Sequence, residues 1–256
     1  MKWCKGIISL FLCLVFISGC AHPLTMENLG MYKPGFINSE YTNYAIGITA
    51  ATNSPEEERM VMAIANNLKK DGFRVFYPYY PNSSNKQSVD FIARITTSSQ
   101  YKGSGINFWV NWPGFIIFAP ALFGYSYTVK LDFDIDITDT RTGSPLPRIS
   151  LPIELRIKHA DINRTWTEVS WLEFSVIAFI GGLCFMSYDN SVTPLMMDAS
   201  ENKLSDYIGS KIAGTVIADV STKGAVPSVG VPPSAPQTVP APAPVMPFQP
   251  VKEERK

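Results

Sequence analysis

Tyr44, Ile46 and Ile48 alternate with smaller residues, the period-two signature of a strand. Ser54-Pro55-Glu56-Glu57 follows as a helix start. Ser54 is placed to cap, Pro55 stands at the first helical position, and Glu57 is spaced to close a capping box. Val61, Ile64, Ala65 and Leu68 then fall on one helical face, and Gly72 marks the C-terminal stop. Phe73 to Tyr77 reads as a second strand. Val89, Phe91, Ala93 and Ile95 alternate with Asp90, Ile92, Arg94 and Thr96 as a third.

The next two segments alternate most clearly. Val129, Leu131, Phe133, Ile135 and Ile137 point one way, and Lys130, Asp132, Asp134 and Asp136 the other. After a turn around Thr142-Gly143, Ile149, Leu151, Ile153, Leu155 and Ile157 repeat the pattern against Ser150, Glu154, Arg156 and Lys158. Such alternation predicts an antiparallel pair with one buried and one wet face. A last helix, from about Ala199 to Val220, presents Leu204, Ile208, Ile212 and Val216. Gly209 and Gly214 weaken it, so its stability must come from docking. The expected fold class is α+β: a mixed, mostly antiparallel sheet with two helices on one face, interrupted by two apolar insertions.

Those insertions cover about residues 106–124 and 165–188. The first contains Trp109, Trp112, Phe115, Ile116 and Phe118, broken by Pro113, Gly114 and Pro120. The second contains Trp171, Phe174 and Phe179, with Gly181-Gly182 in its apolar run. Neither reads as a single-pass helix. Trp109, Trp112 and Tyr125 border one, and Trp166, Trp171 and Tyr188 the other, a placement that suits a lipid interface. Three readings stay open. The insertions cover each other and the open sheet face as a second core, they dip into a leaflet, or subunits pool them into a pore. A pore strand alternates apolar and polar residues, and residues 115–123 do not.

The ends of the chain differ from its middle. Lys2 and Lys5 precede an apolar run, Gly6 to Ile17, of export-signal length. It ends in Ile17-Ser18-Gly19-Cys20: an aliphatic residue, two small residues and a cysteine. This resembles the lipobox of bacterial lipoproteins. The resemblance implies cleavage between Gly19 and Cys20 and lipidation of the Cys20 thiol, with several acyl chains, palmitate among them, anchoring the chain to membrane lipid. In that family a residue other than Asp after the cysteine directs the chain to the outer membrane, and here it is Ala21. The implied location is the cell envelope, facing the periplasm.

Residues 20–42, with Pro23, Gly30, Pro34 and Gly35, read as a lipidated tether to a domain at 43–220. Residues 221–256 hold nine prolines and read as an extended, disordered tail. The domain resembles the TolB amino-terminal type, also found in the curli-secretion channel lipoprotein and in lipoprotein activators of penicillin-binding proteins. Val89 to Ile95 and the turn Asp139-Thr140-Arg141-Thr142-Gly143 carry that resemblance. The turn has a physical basis: Asp139 bonds its own backbone, and Gly143 takes a positive φ. The two apolar insertions depart from the soluble members.

Composition narrows function. The 256 residues are 46% hydrophobic, with 22 basic and 22 acidic side chains. Losing Lys2 and Lys5 with the leader leaves 20 basic against 22 acidic residues, so no nucleic-acid partner is expected. Two histidines and four cysteines, without Cys-x-x-Cys, leave little for a metal site. Asp132, Asp134, Asp136 and Asp139 form an acidic row that Arg156 and Lys158 are placed to neutralise. His159 lacks a nucleophile motif, Cys184 reads as a packed thiol, and Gly103-Ser104-Gly105 is too short for a phosphate loop. The expectation is a non-catalytic, cofactor-free binding or assembly module. Its partners would be membrane lipid through Cys20 and an envelope protein or a second copy. An oligomeric export channel or channel accessory is the alternative, and a hydrolase using His159 and the Asp row comes third.

Overall fold

The computed structural model describes residues 21–37, 43–52, 54–83, 87–111, 122–161 and 183–223. The strands are β1 (His22–Met26), β2 (Ala45–Ala51), β3 (Arg74–Phe76), β4 (Phe91–Gly103), β5 (Tyr125–Asp139) and β6 (Ile149–Ala160). The α-helices are α1 (Pro55–Lys70), α2 (Ile106–Asn111) and α3 (Val192–Lys223). One six-stranded sheet runs in the order β1-β6-β5-β4-β2-β3. β1, β6, β5 and β4 pair antiparallel, whereas β4, β2 and β3 pair parallel. This is the mixed α+β sheet that the periodicity predicts.

Local chemistry explains α1. Ser54 Oγ accepts from the Glu57 N–H at 3.2 Å, and Pro55 opens the helix where its missing N–H has no intrahelical partner. The Glu57 carboxylate reaches across to β4, where it accepts from Thr97 Oγ1 at 2.8 Å and Ser99 Oγ at 2.9 Å. At the other end Phe73 N–H donates to Leu68 O and Gly72 N–H to Lys69 O, a Schellman stop with Gly72 at φ +100°.

The core lies between one sheet face and the α1–α3 pair. Ile46, Ile48, Phe91, Ile95, Ile135 and Leu155 are fully buried there, against Ile64 and Leu68 of α1 and Ile208 and Ile212 of α3. The two helices touch through a buried hydrogen bond from Asn67 Nδ2 to Ser205 Oγ, 2.6 Å, and a close approach at Gly209. The opposite face stays polar. It carries Lys130, Asp132 and Asp136 of β5 and Arg156 of β6, all exposed.

Three expectations change. Residues 22–37, read as part of the tether, belong to the fold. β1 pairs with β6, Asn28 bonds Glu154 O and accepts from Arg156 N–H, and Tyr32 OH bonds both backbone groups of Glu154. Helix α3 begins at Val192, not near Ala199, because Pro194 sits in its first turn, where its missing N–H costs nothing. Asp139 does not belong to the acidic row: strand parity turns it to the buried face with Ile135 and Ile137.

Candidate functional site

Strand direction collects several chain features at one end of the sheet. β4 and β6 run the same way and β5 runs against them. The C-termini of β4 and β6 therefore lie beside the N-terminus of β5: Gly103 is paired with Tyr127, and Tyr125 with His159. Both apolar insertions leave the sheet there. β1 runs against β6, so His22 is paired with Ala160 at the same end, two residues after Cys20. His159 Nδ1 donates to the His22 carbonyl at 2.9 Å and fixes the start of β1. That places the histidine in backbone support.

The described flanks of the insertions are apolar and face solvent. Ile106, Trp109, Leu122, Phe123, Leu183 and Met186 are all large, exposed and at this end. Trp109 is 66% exposed and Leu122 68%. α2 shows why. Its buried side carries Phe108 and Asn107, whose side-chain amide accepts from Ser126 N–H at 2.7 Å and donates to Ser126 O at 3.1 Å. That pair of bonds extends the β5 ladder into the helix and leaves Ile106 and Trp109 pointing outward.

The second insertion returns to the fold by a different contact. Tyr188 packs against Tyr101 (centroids 4.9 Å apart) and Tyr127 (5.4 Å), and Phe185 stacks on Tyr125 at 6.1 Å. Burial pushes the Tyr188 phenol up to about 12, against the opposing effect of its hydrogen bond with Thr193. The chain crosses directly over Gly103, where a Cβ would stand 2.1 Å from the Met186 carbonyl oxygen. Gly103 therefore serves this crossing.

Of the residues expected to meet lipid or a partner, Trp109 is placed here and exposed. Trp112, Phe115, Ile116, Phe118, Trp171, Phe174 and Phe179 lie outside the described residues, as do Gly19 and Cys20. Cys184, expected to be packed, is exposed. Within the acidic row, Arg148 pairs with Asp134 at 3.0 Å and Asp136 at 3.6 Å. Register explains the difference: Arg156 stands opposite Thr128, and Lys158 pairs with Glu27. Among the described residues, no group of three or more His, Cys, Asp or Glu is placed to hold a metal, and no helix is long and apolar enough to cross a membrane.

The far end of the sheet is ionic. Asp139, with no exposed side-chain surface, accepts from Arg141 N–H at 2.9 Å and contacts the Arg141 guanidinium (3.3 Å) and the Lys223 ammonium (3.5 Å). Burial alone would raise its carboxyl. The backbone and side chain of Arg141, with Lys223, outweigh that and hold it below the usual range. Buried Asp90 accepts from Ala45 N–H at 2.8 Å, and Arg141 lies over the rings of Tyr44 and Phe91.

No protein-family model matches the chain, and no curated protein does. Solved structures similar to it include the following three. The first is a Caulobacter crescentus protein assigned as a lipoprotein, with 8% identity, 71% of this chain and 93% of that one covered, and a TM-score of 0.34. The second is a minor lipoprotein from Acinetobacter baumannii, with 9% identity, 61% and 94% covered, and a TM-score of 0.27. The third is PelC from Paraburkholderia phytofirmans, a dodecamer, with 10% identity, 63% and 98% covered, and a TM-score of 0.25. At these scores the likenesses carry no argument about function.

Proposed function

We propose that this chain is a bacterial envelope lipoprotein that works by binding, not catalysis, with the apolar end of its sheet seated against the leaflet that holds the Cys20 acyl chains. The observation that carries this reading is convergence. The residue two places after Cys20 and the roots of both apolar insertions meet at one end of one sheet. A lipid on Cys20 would hold that end within a few residues' length of the bilayer, on the order of 10 Å. The leaflet would then receive the side chains that water disfavours. Ala21 favours the outer membrane under the family's sorting rule. The TolB-type turn at Asp139 to Gly143, with Asp139 bonded to its own backbone and Gly143 at φ +70°, supports the domain resemblance at the opposite end. The protein would act as a seated platform, its polar sheet face and ionic end turned to the periplasm.

Cys20→Ser tests this. Expected is a loss of the acyl mass increment together with release from washed envelope membranes. Retention in the membrane fraction without added mass contradicts the reading. Rings in detergent with conductance in planar bilayers would replace the platform with the channel.

A further inference from the structure

A second surface lies on the polar face of the sheet, toward the ionic end. Register sets its floor. Gly47, Ile92 and Thr138 align in one row across β2, β4 and β5, and Thr49, Arg94 and Asp136 align in the next. Neighbouring strands stand about 4.8 Å apart, so each row offers a side chain at that interval. Residues 77–81, Tyr77-Pro78-Tyr79-Tyr80-Pro81, form a wall beside this floor. The Tyr79 ring sits directly over Gly47, where a Cβ would stand 2.6 Å from the ring, so glycine is required beneath it. Tyr79 packs with Ala45 and Val89 in a small apolar cluster. Its N–H donates to Ile48 O at 2.9 Å, and its hydroxyl donates to Gln87 O at 3.2 Å. The wall is therefore held in place before anything binds, which lowers the cost of binding.

Between wall and floor opens a groove of about 770 Å³, within the roughly 300–1,000 Å³ of ligand sites. Tyr77 and Tyr80 line it, and Tyr80 is 66% exposed. Burial, with Glu58 and Tyr80 nearby, raises the Tyr77 phenol, so it stays protonated at neutral pH and can donate. The other polar groups of the lining are mixed. Arg94 only donates, Glu58 and Asp136 only accept, and Thr49 and Thr138 do both. Arg94 makes no hydrogen bond or ion pair among the described residues, and Asp136 shares Arg148 at 3.6 Å.

That lining selects by chemistry. One cation among two carboxylates makes no field to hold an anion, and Arg94 in the floor opposes a cation. The floor is too polar for a lipid chain. Donors and acceptors beside aromatic rings suit a sugar. Its ring carries C–H groups on its faces, which pack on an aromatic ring, and hydroxyls around its rim, each both donor and acceptor. Polar rows that cross three strands suit several sugars in line. A β-1,4 linkage keeps such a chain flat against a sheet, whereas an α-1,4 linkage coils it.

We propose that this groove binds a β-1,4-linked glycan strand, with a sugar ring stacked on Tyr80 and hydroxyls bonded to Arg94, Asp136 and Thr138. The inference is independent of the lipid seat, which lies at the other end of the sheet.

Calorimetric titration of the full-length protein with chitohexaose tests it, with α-linked maltohexaose as the control. Chitohexaose should bind saturably and about tenfold more tightly than maltohexaose. Tyr80→Ala should weaken binding about tenfold, whereas Tyr80→Phe, which keeps the ring, should stay within about twofold. Arg94→Gln should cost about fivefold. Tyr80 and Arg94 are exposed, so thermal unfolding should not move in these variants. Co-sedimentation with purified peptidoglycan sacculi, set against bacterial cellulose, distinguishes the two sources of such a strand, the cell wall and an exported polysaccharide. No saturable binding of chitohexaose, equal affinity for maltohexaose, or full affinity in Tyr80→Ala overturns the proposal.

Discussion

The two ends of the sheet face opposite problems. β5 runs about 46 Å from Tyr125 to Asp139, and α3 spans about 48 Å alongside it, so one pair of elements touches both. At the Asp139 end, charge is buried and each group there has partners: Asp139 has Arg141 and Lys223, and Asp90 holds the start of β2. At the Tyr125 end the described flanks leave Trp109, Leu122 and Phe123 in the open. A fold that can satisfy a buried carboxylate this fully does not leave large apolar side chains clustered at one end for want of a core. Exposed apolar surface of this kind is what the proposed seat against a leaflet would cover.

Substitutions can break or sharpen that contrast. Gly103→Ala should have the largest effect. The new methyl meets the backbone of Met186 rather than a flexible side chain, so the cost should reach about 3 kcal/mol, the top of the overpacking range. Relief by undocking of the 183–188 crossing should bring the Tyr188 phenol down toward the ordinary value near 10, read by ultraviolet titration.

Asp139→Ala at the ionic end should cost about 2 kcal/mol in urea denaturation. That is below the roughly 3–5 kcal/mol of a fully buried pair, because Arg141 (29% exposed) and Lys223 (38%) are partly solvated. The pH dependence has a defined sign. The native Asp139 carboxyl binds its proton less readily than the unfolded one, so its stabilisation is complete above the unfolded value of about 3.9. It is lost as pH falls through the lower native value. Asp139→Asn should remove that part of the acid limb, and an unchanged limb contradicts the assignment.

Gly214→Ala should stabilise the chain by about 0.5–1 kcal/mol in urea denaturation. An added Cβ meets nothing within 4 Å, and the helix loses an entropic defect. Trp109→Ser should barely change stability, since the ring is mostly exposed. Its effect should appear in vesicle binding instead, which separates this residue from a core tryptophan.

Much of the fold is legible in period alone. The Ser54-Pro55 cap, the Gly72 stop and the long alternation of β5 and β6 follow from local chemistry, and the structure contains all three. Where the reading fails, long-range pairing decides. Residues 22–26 look like linker because Pro23 interrupts a short run, yet an edge strand tolerates proline, and β6 supplies the partner. Pro194 resembles a helix breaker but sits in the first turn of α3. Asp139 belongs to the acidic row by spacing on the page and leaves it by strand parity. The site shows the same division. The apolar insertions and their tryptophan margins are visible in the sequence, whereas the meeting of their flanks at one end depends on strand order. The Tyr77-Pro78-Tyr79-Tyr80-Pro81 segment, whose Tyr79 ring packs over Gly47, is signalled in the sequence only by its run of tyrosines and prolines.

One optical property makes the central claim directly accessible. Of the five tryptophans, Trp3 falls in the expected leader, and Trp109, Trp112, Trp166 and Trp171 all fall in the two insertions. The emission of the processed chain would therefore report on the two insertions alone. The lipidated protein, reconstituted into vesicles containing brominated phospholipid, should lose most of that emission and resist quenching by aqueous iodide. Full emission with bromolipid, together with free quenching by iodide, would mean that this end faces water, and the seated platform would be wrong.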